Sequence, residues 1–325
     1  MTIVFASNDA ADFDTAMEEH ADSSYFDSSL VSRGMRIMGA SGSASPFGLS
    51  LPTAVTGDFW LHFAMAVPST NTNADGDLLS IYDANHERVA YFDVLNEDGI
   101  AHADGDSLGP AGSAFSLGFT NIMRTFDIKV SVGADITMEI YIGGALVSTS
   151  TTANTGGKGT PQHITFHLND IAQLNGQYYH FSEFIIADGE STIGLRLSEL
   201  RPNTDGTYTD GVGTTASLAD GNNATGVTFA SAGEKRSWNP TAYAGPASPT
   251  LHSVVSTASV RIGGGDITSA RNFLRISGTD YTGSDQSPTN YVGNITEQWV
   301  VNPATSLPWT EADLATFEAG IEARP

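Results

Sequence analysis

Over residues 58–188 the chain repeats one pattern, short apolar or alternating runs bounded by Gly, Asn, Asp and Ser. Period-two alternation sends successive side chains to opposite faces of a strand, and the bounding residues tolerate the backbone angles that turn one strand onto the next. Expected strands are FWLHFAMAV from Phe59, LLSIYDANHERVAYFDVL from Leu78, FSLGFT from Phe115, RTFDIKVSV from Arg124, ITMEIYIGGALVSTSTT from Ile136, HITFHL from His163 and YYHFSEFIIAD from Tyr178. Two of these runs contain hairpins. DANH at 83–86 separates LLSIY from RVAYF, and Gly143-Gly144 forms a two-residue loop between MEIYI and ALVST, of the kind that suits twisted antiparallel strands.

The rhythm breaks at LSELRPNTDGTY, where Pro202 and an Asn-Thr-Asp-Gly turn precede a Gly/Thr/Asn-rich stretch that runs to about residue 230. This break predicts a boundary between a domain of residues 1–195 and a domain of residues 196–325. Strand-like runs return at LHSVVSTASVRI from Leu251, FLRIS from Phe273 and EQWVV from Glu297. Near the end, Thr310 is a candidate N-cap with Asp313 three residues on, and Leu314, Phe317 and Ile321 form an apolar stripe. A terminal helix over 310–323 is the expectation.

Composition agrees with an all-β chain: 34 glycines in 325 residues supply turns, and 40% hydrophobic content fills cores. Acidic residues outnumber basic ones by 37 to 14, for a formal net charge of -23. Nucleic-acid binding draws on clustered Lys and Arg, so no nucleic-acid partner is expected. With no cysteine, disulfides and thiolate metal sites are excluded. The start lacks the basic and apolar regions of a signal peptide, and no apolar run reaches membrane-spanning length, so synthesis in a cytoplasm without membrane insertion is expected.

Candidate chemistry is sparse. Asp75-Gly76-Asp77 and Asp104-Gly105-Asp106 make Asp75, Asp77, Asp104 and Asp106 candidate Ca2+ ligands, since this hard cation takes several oxygens from flexible loops. Neither segment has EF-hand spacing, and Asp-Gly pairs are also ordinary turn formers. His163 and His167 share a strand face but stand too far apart along it to chelate one ion. Glu139 and Glu183 lack the partner carboxylates at i+2 or i+4 that a sandwich glycosidase carries, and are expected to point outward. No nucleophile elbow or P-loop is present, so no catalytic residue and no cofactor beyond Ca2+ is expected.

HFSEFIIADGEST, preceded by the MEIYIGGALVSTS hairpin, resembles the concanavalin-like (laminin G-like) β-sandwich over about half of the chain. That resemblance implies an N-terminal antiparallel sandwich followed by a second β-rich domain, and it adds to the Ca2+ expectation. LRISGTDYTGSDQ and the final EQWVVNPATSLPWTEADLATFEAGIEA resemble the ends of tail-associated structural proteins of phages and prophages, as does RPNTDGTYTD. The implied function is that of a non-enzymatic, tail-associated virion protein for host-surface adhesion or subunit contacts. The alternatives are capsid decoration and a carbohydrate-binding module or cryptic glycan hydrolase. Other virion proteins and a host-surface glycan are the expected partners. Unguarded strand edges favour a homo-oligomer, and attachment to a phage tail favours a trimer by family analogy.

Overall fold

The computed structural model describes residues 2–13, 17–38, 47–51, 54–66, 75–95, 98–117, 122–167, 178–220, 225–263, 265–287 and 293–325, without the side chains of Ala11 and Asp75. The protein is all-β and its sheets are antiparallel. Among the described residues no helix is long and apolar enough to cross a membrane. Two compact units form, one from Met1–Val4 and Phe13–Leu197, the other from Phe5–Asp12 and Ser198–Pro325.

In chain order the strands up to residue 197 are β1 (Thr2–Ser7), β2 (Glu18–His20), β3 (Gly34–Met38), β4 (Phe47–Ser50), β5 (Phe59–Ala66), β6 (Asp75–Asp83) and β7 (Arg88–Leu95). They continue as β8 (Asp98–Ala103), β9 (Phe115–Ser116), β10 (Arg124–Val132), β11 (Asp135–Ile142), β12 (Ala145–Ala153), β13 (Pro161–Phe166) and β14 (Tyr178–Asp188). One sheet has the order β12-β11-β10-β5-β14-β3-β2 with β1 beside β14, and the other has the order β4-β13-β6-β7-β8-β9. Their inner faces meet through aromatic rings. Phe63 of β5 stands edge-on to Phe166 of β13 at 5.4 Å, Phe47 of β4 to Phe181 of β14 at 5.3 Å, and Phe126 of β10 lies 6.1 Å from Phe92 of β7. The first unit is therefore a β-sandwich whose core is built from alternate residues of facing strands. Along one side, Ser148 and Ser150 of β12 accept hydrogen bonds from the Ala101 and Ala103 amides of β8, at 3.1 and 2.9 Å, and this stitches the two sheets together.

The hairpins follow the sequence pattern. Gly143 and Gly144 adopt φ of 56° and 82° between β11 and β12, left-handed values that glycine meets without strain. FSLGFT contributes only β9, and its Gly118-Phe119-Thr120 lies outside the described residues.

The second unit holds β15 (Pro202–Thr209), β16 (Lys235–Pro240), β17 (Val254–Val260), β18 (Ser269–Ile276), β19 (Thr279–Thr282), β20 (Gly293–Trp299) and β21 (Phe317–Arg324). A five-stranded sheet runs β15-β16-β21-β18-β19, and β17 pairs with β20. Three features differ from the sequence expectation. Asn203-Thr204-Asp205-Gly206 is not a turn but part of β15, which pairs with β16 through register shifts that absorb its irregular residues. A division at residue 195 alone does not describe the units, because Phe5–Asp12 groups with the second. The Ala6 carbonyl accepts from the Thr257 hydroxyl at 2.8 Å, and the Asp12 carbonyl accepts from Asn294 at 2.5 Å.

The terminal helix over 310–323 is replaced by a short 3-10 turn, Glu311–Ala315, and the strand β21. Thr310 and Asp313 do form the expected capping box, but only one turn follows. Phe317 and Ile321 are four residues apart, a spacing that puts them on one face of a helix or of a strand. Long-range pairing decides: β21 is the central strand, bonded to β16 on one side and β18 on the other. Gly320 makes that central position possible, since a Cβ there would stand 2.2 Å from Phe273 Cζ and 2.7 Å from the Arg236 carbonyl oxygen. Gly320→Ala is expected to destabilise the second unit by about 2 kcal/mol through overpacking. Chemical denaturation with unchanged stability would show that the Phe273 ring yields.

Candidate functional site

Chemistry gathers where β7 and β8 run side by side. Their register sets Tyr91 opposite His102, and the two rings lie parallel at 4.6 Å with 6° between planes. Arg88, three residues before Tyr91, lays its guanidinium against the same phenol, with Cζ 4.0 Å from the ring centre. Two carboxylates grip that guanidinium: Nη1 donates to Asp77 of β6 and Nε to Asp104 just after β8, both at 2.8 Å. The Lys158 ammonium donates to Asp104 Oδ1 at 3.1 Å and to the carbonyls of Arg88 and Asp104 at 2.7 and 2.9 Å. Asp93 of β7 stands 3.8 Å from His102 Nε2.

The rings form a buried floor and the charged groups a rim. Tyr91 and His102 are buried, whereas the side chains of Arg88, Asp77 and Asp93 retain 33%, 29% and 24% of their exposure. Burial works against the Arg88 cation, but the Asp104 hydrogen bond and the Asp77 and Asp104 charges outweigh it and raise its pKa. Burial raises the Tyr91 hydroxyl and lowers the His102 imidazole, so both rings are neutral near pH 7. Among the described residues, His102 Nδ1 is buried with no hydrogen-bond partner. The result is an Arg fork among carboxylates, a set of alternating donors and acceptors on a rigid base.

Three of the four candidate Ca2+ ligands are placed by this geometry. Asp77 and Asp104 come together, with Arg88 and Lys158 as their counter-charges. Asp106 stands apart and caps the turn after β12, accepting from the amides of Thr155 and Gly156 at 2.9 and 2.6 Å and from the Thr155 hydroxyl. These bonds hold its carboxyl below the usual range. The Asp75 side chain lies outside the described residues. Among the described residues, no three His, Asp or Glu side chains gather as a metal-binding set.

The histidines pair across the fold rather than along a strand. His163 stacks on His86 at 4.1 Å, and His180 Nδ1 is 3.1 Å from His20 Nε2. Glu139 follows expectation at the outer face, where it accepts from the Tyr141 hydroxyl at 3.1 Å; burial and that bond push Tyr141 up to about 12. Glu183 does not point outward. It sits buried at a bulge of β14, with φ of 60° that turns its carboxylate under Arg196. Arg88 and His102 were not singled out by their sequence positions. Their only local signal was the outward phase of RVAYFD and IAHAD, which means nothing until strand register joins them.

No family model and no curated protein matches this chain. Among solved structures, it is similar to the binding domain of Paraclostridial Mosquitocidal Protein 1, with 16% identity over 57% of this chain and 44% of that one and a TM-score of 0.40. The receptor-binding domain of botulinum neurotoxin C/D mosaic serotype shares 12% identity over 58% of this chain and 48% of its own, with a TM-score of 0.42. Endo-beta-1,4-glucuronan lyase from the fungus Trichoderma reesei shares 9% identity over 57% of this chain and 96% of its own, with a TM-score of 0.43. The chain thus spans less than half the length of the first two.

Proposed function

We propose that the protein is a non-catalytic glycan-binding protein, with the rim of Arg88, Asp77, Asp93 and Asp104 as its contact surface. The observation that carries this reading is the rigid Arg88–Tyr91–His102 stack, which holds adjacent N–H donors and carboxylate acceptors where β7 begins and β8 ends. Vicinal sugar hydroxyls each donate and accept, and match such a set pairwise. The second oxygen of Asp77 takes no hydrogen bond among the described residues and is oriented by the bond its partner oxygen makes to Arg88.

The setting belongs to the same proposal: a tail-associated bacteriophage virion protein in which the concanavalin-like sandwich meets the host surface, most naturally as a homotrimer. It is supported by the likeness of the C-terminal sequence to phage and prophage tail proteins, and by β15, a largely exposed edge strand that a neighbouring copy would cover. Titration of the intact protein against a panel of neutral and acidic oligosaccharides tests the binding claim. Saturable binding is expected, weakened at least tenfold by Asp77→Asn and by Arg88→Gln. Absence of saturable binding across the panel, or binding indifferent to both substitutions, would overturn it.

A further inference from the structure

A second cluster lies on the other sheet of the same unit. His20 ends β2, His180 sits on β14, and the two imidazoles are joined by a hydrogen bond of 3.1 Å in a nearly buried position. Tyr25, in the connection from β2 to β3, lies flat on His180 with ring centres 3.7 Å apart and 6° between planes. Phe26 packs edge-on to His20 at 5.9 Å, and Gly34 of β3 is so close that a Cβ there would stand 2.7 Å from His20 Nε2. This part of the connection is seated on the histidine pair.

We propose that the His20–His180 pair is an acid-released latch that holds residues 21–26 against the sheet and lets them go when both rings are protonated. The hydrogen bond needs one ring to donate and the other to accept through a lone pair. Two imidazolium rings present N–H to N–H, lose the bond and set like charges side by side. The charged groups facing the pair are Arg36 of β3, which opposes protonation of both rings, and Asp22 of the connection, which favours it. Glu18 of β2 bonds Arg36 at 3.1 Å, and the guanidinium stacks on Tyr178 of β14, so both are engaged with Arg36. Burial, the other ring and Arg36 together bring His180 down to about 4.

The release is local because the next stretch has an anchor that survives acid. Asp27 bonds Arg196 at 3.1 Å and accepts from the Ser29 hydroxyl and amide, and these bonds keep its carboxyl ionised below the usual range. The amides of Leu30 and Val31 donate to the Asp27 carbonyl, and Phe26, Leu30 and Val31 pack together. Residues 27–31 are therefore a hinge, and the flap is residues 21–26.

Hydrogen exchange at pH 7 and pH 4, corrected for the intrinsic rate, tests this on the intact protein. Protection of 21–26 is expected to fall at least tenfold at pH 4 while 27–31 and β6–β7 hold. His180→Phe keeps a ring under Tyr25 and cannot titrate, so its acid loss of protection at 21–26 should be several-fold smaller than the wild type's, the remainder being the cost of protonating buried His20. His20→Gln should likewise shrink the pH response, leaving only the cost of protonating buried His180. Unchanged protection in the wild type, or an equal acid loss in His180→Phe, would overturn the latch.

Discussion

Arg196→Ala should lower the stability of the first unit by roughly 3 kcal/mol, the cost of leaving a buried charge without its partner. Glu183 is only 1% exposed, and Arg196 grips both its oxygens, Nε to Oε2 at 2.6 Å and Nη2 to Oε1 at 2.7 Å. The Leu197 amide adds a weaker bond at 3.4 Å. Without the guanidinium, the carboxylate stays at a bulge whose φ of 60° is itself unfavourable for a non-glycine residue. Arg196 is 41% exposed, so water reaches the gap and the loss belongs at the lower end of the range for buried pairs. The double variant Glu183→Gln with Arg196→Met removes both charges and should recover more than half of the loss. Urea denaturation of the three proteins decides; equal losses in the single and double variants would refute the account.

Asp12→Asn should stabilise the second unit at pH 8, by up to about 4 kcal/mol, and leave it unchanged near pH 3.5. Asp12 is buried, accepts a hydrogen bond from Ser7, and lies in the field of Asp9, Glu199 and Arg201. Burial first and the Asp9 charge second outweigh Ser7 and Arg201, and the carboxyl is pushed up to about 7 from 3.8. The sign follows from linkage. A group that binds its proton more tightly in the folded state leaves stability untouched below pH 4. It removes stability as pH climbs from about 4 to about 7, where the unfolded chain ionises and the folded one does not. Asparagine keeps the acceptor for Ser7 and never ionises. Thermal unfolding of both proteins at pH 3.5 and pH 8 measures the effect, and an equal difference at the two values would rule out titration of Asp12 as its cause. The lowered histidines of the sandwich act in the opposite sense, since His20, His102, His163 and His180 favour their neutral forms and cost stability as pH falls below their unfolded value of 6.5.

Local pattern by itself determined the class and much of the strand inventory. The alternation of RTFDIKVSV and the paired glycines of IGGAL specify a strand and a tight turn through residue-level sterics, and the structure has β10 and the β11–β12 hairpin there. The same pattern was silent or degenerate where a distant partner chooses. Leu314, Phe317 and Ile321 satisfy a helix and Phe317 and Ile321 satisfy a strand equally well, and β16 and β18 settled the matter by offering hydrogen bonds on both sides of 317–324. Glu183 reads as an outward strand residue until the bulge between Ser182 and Ile185 turns it under Arg196. Arg88, Tyr91 and His102 are ordinary strand residues in sequence, and Phe5–Asp12 gives no sign of belonging with residues beyond 198. Steric preference acts over a few bonds and can be read along the chain. Register, bulges and face-to-face packing join residues far apart in sequence, so the tertiary structure alone decided which side chains meet.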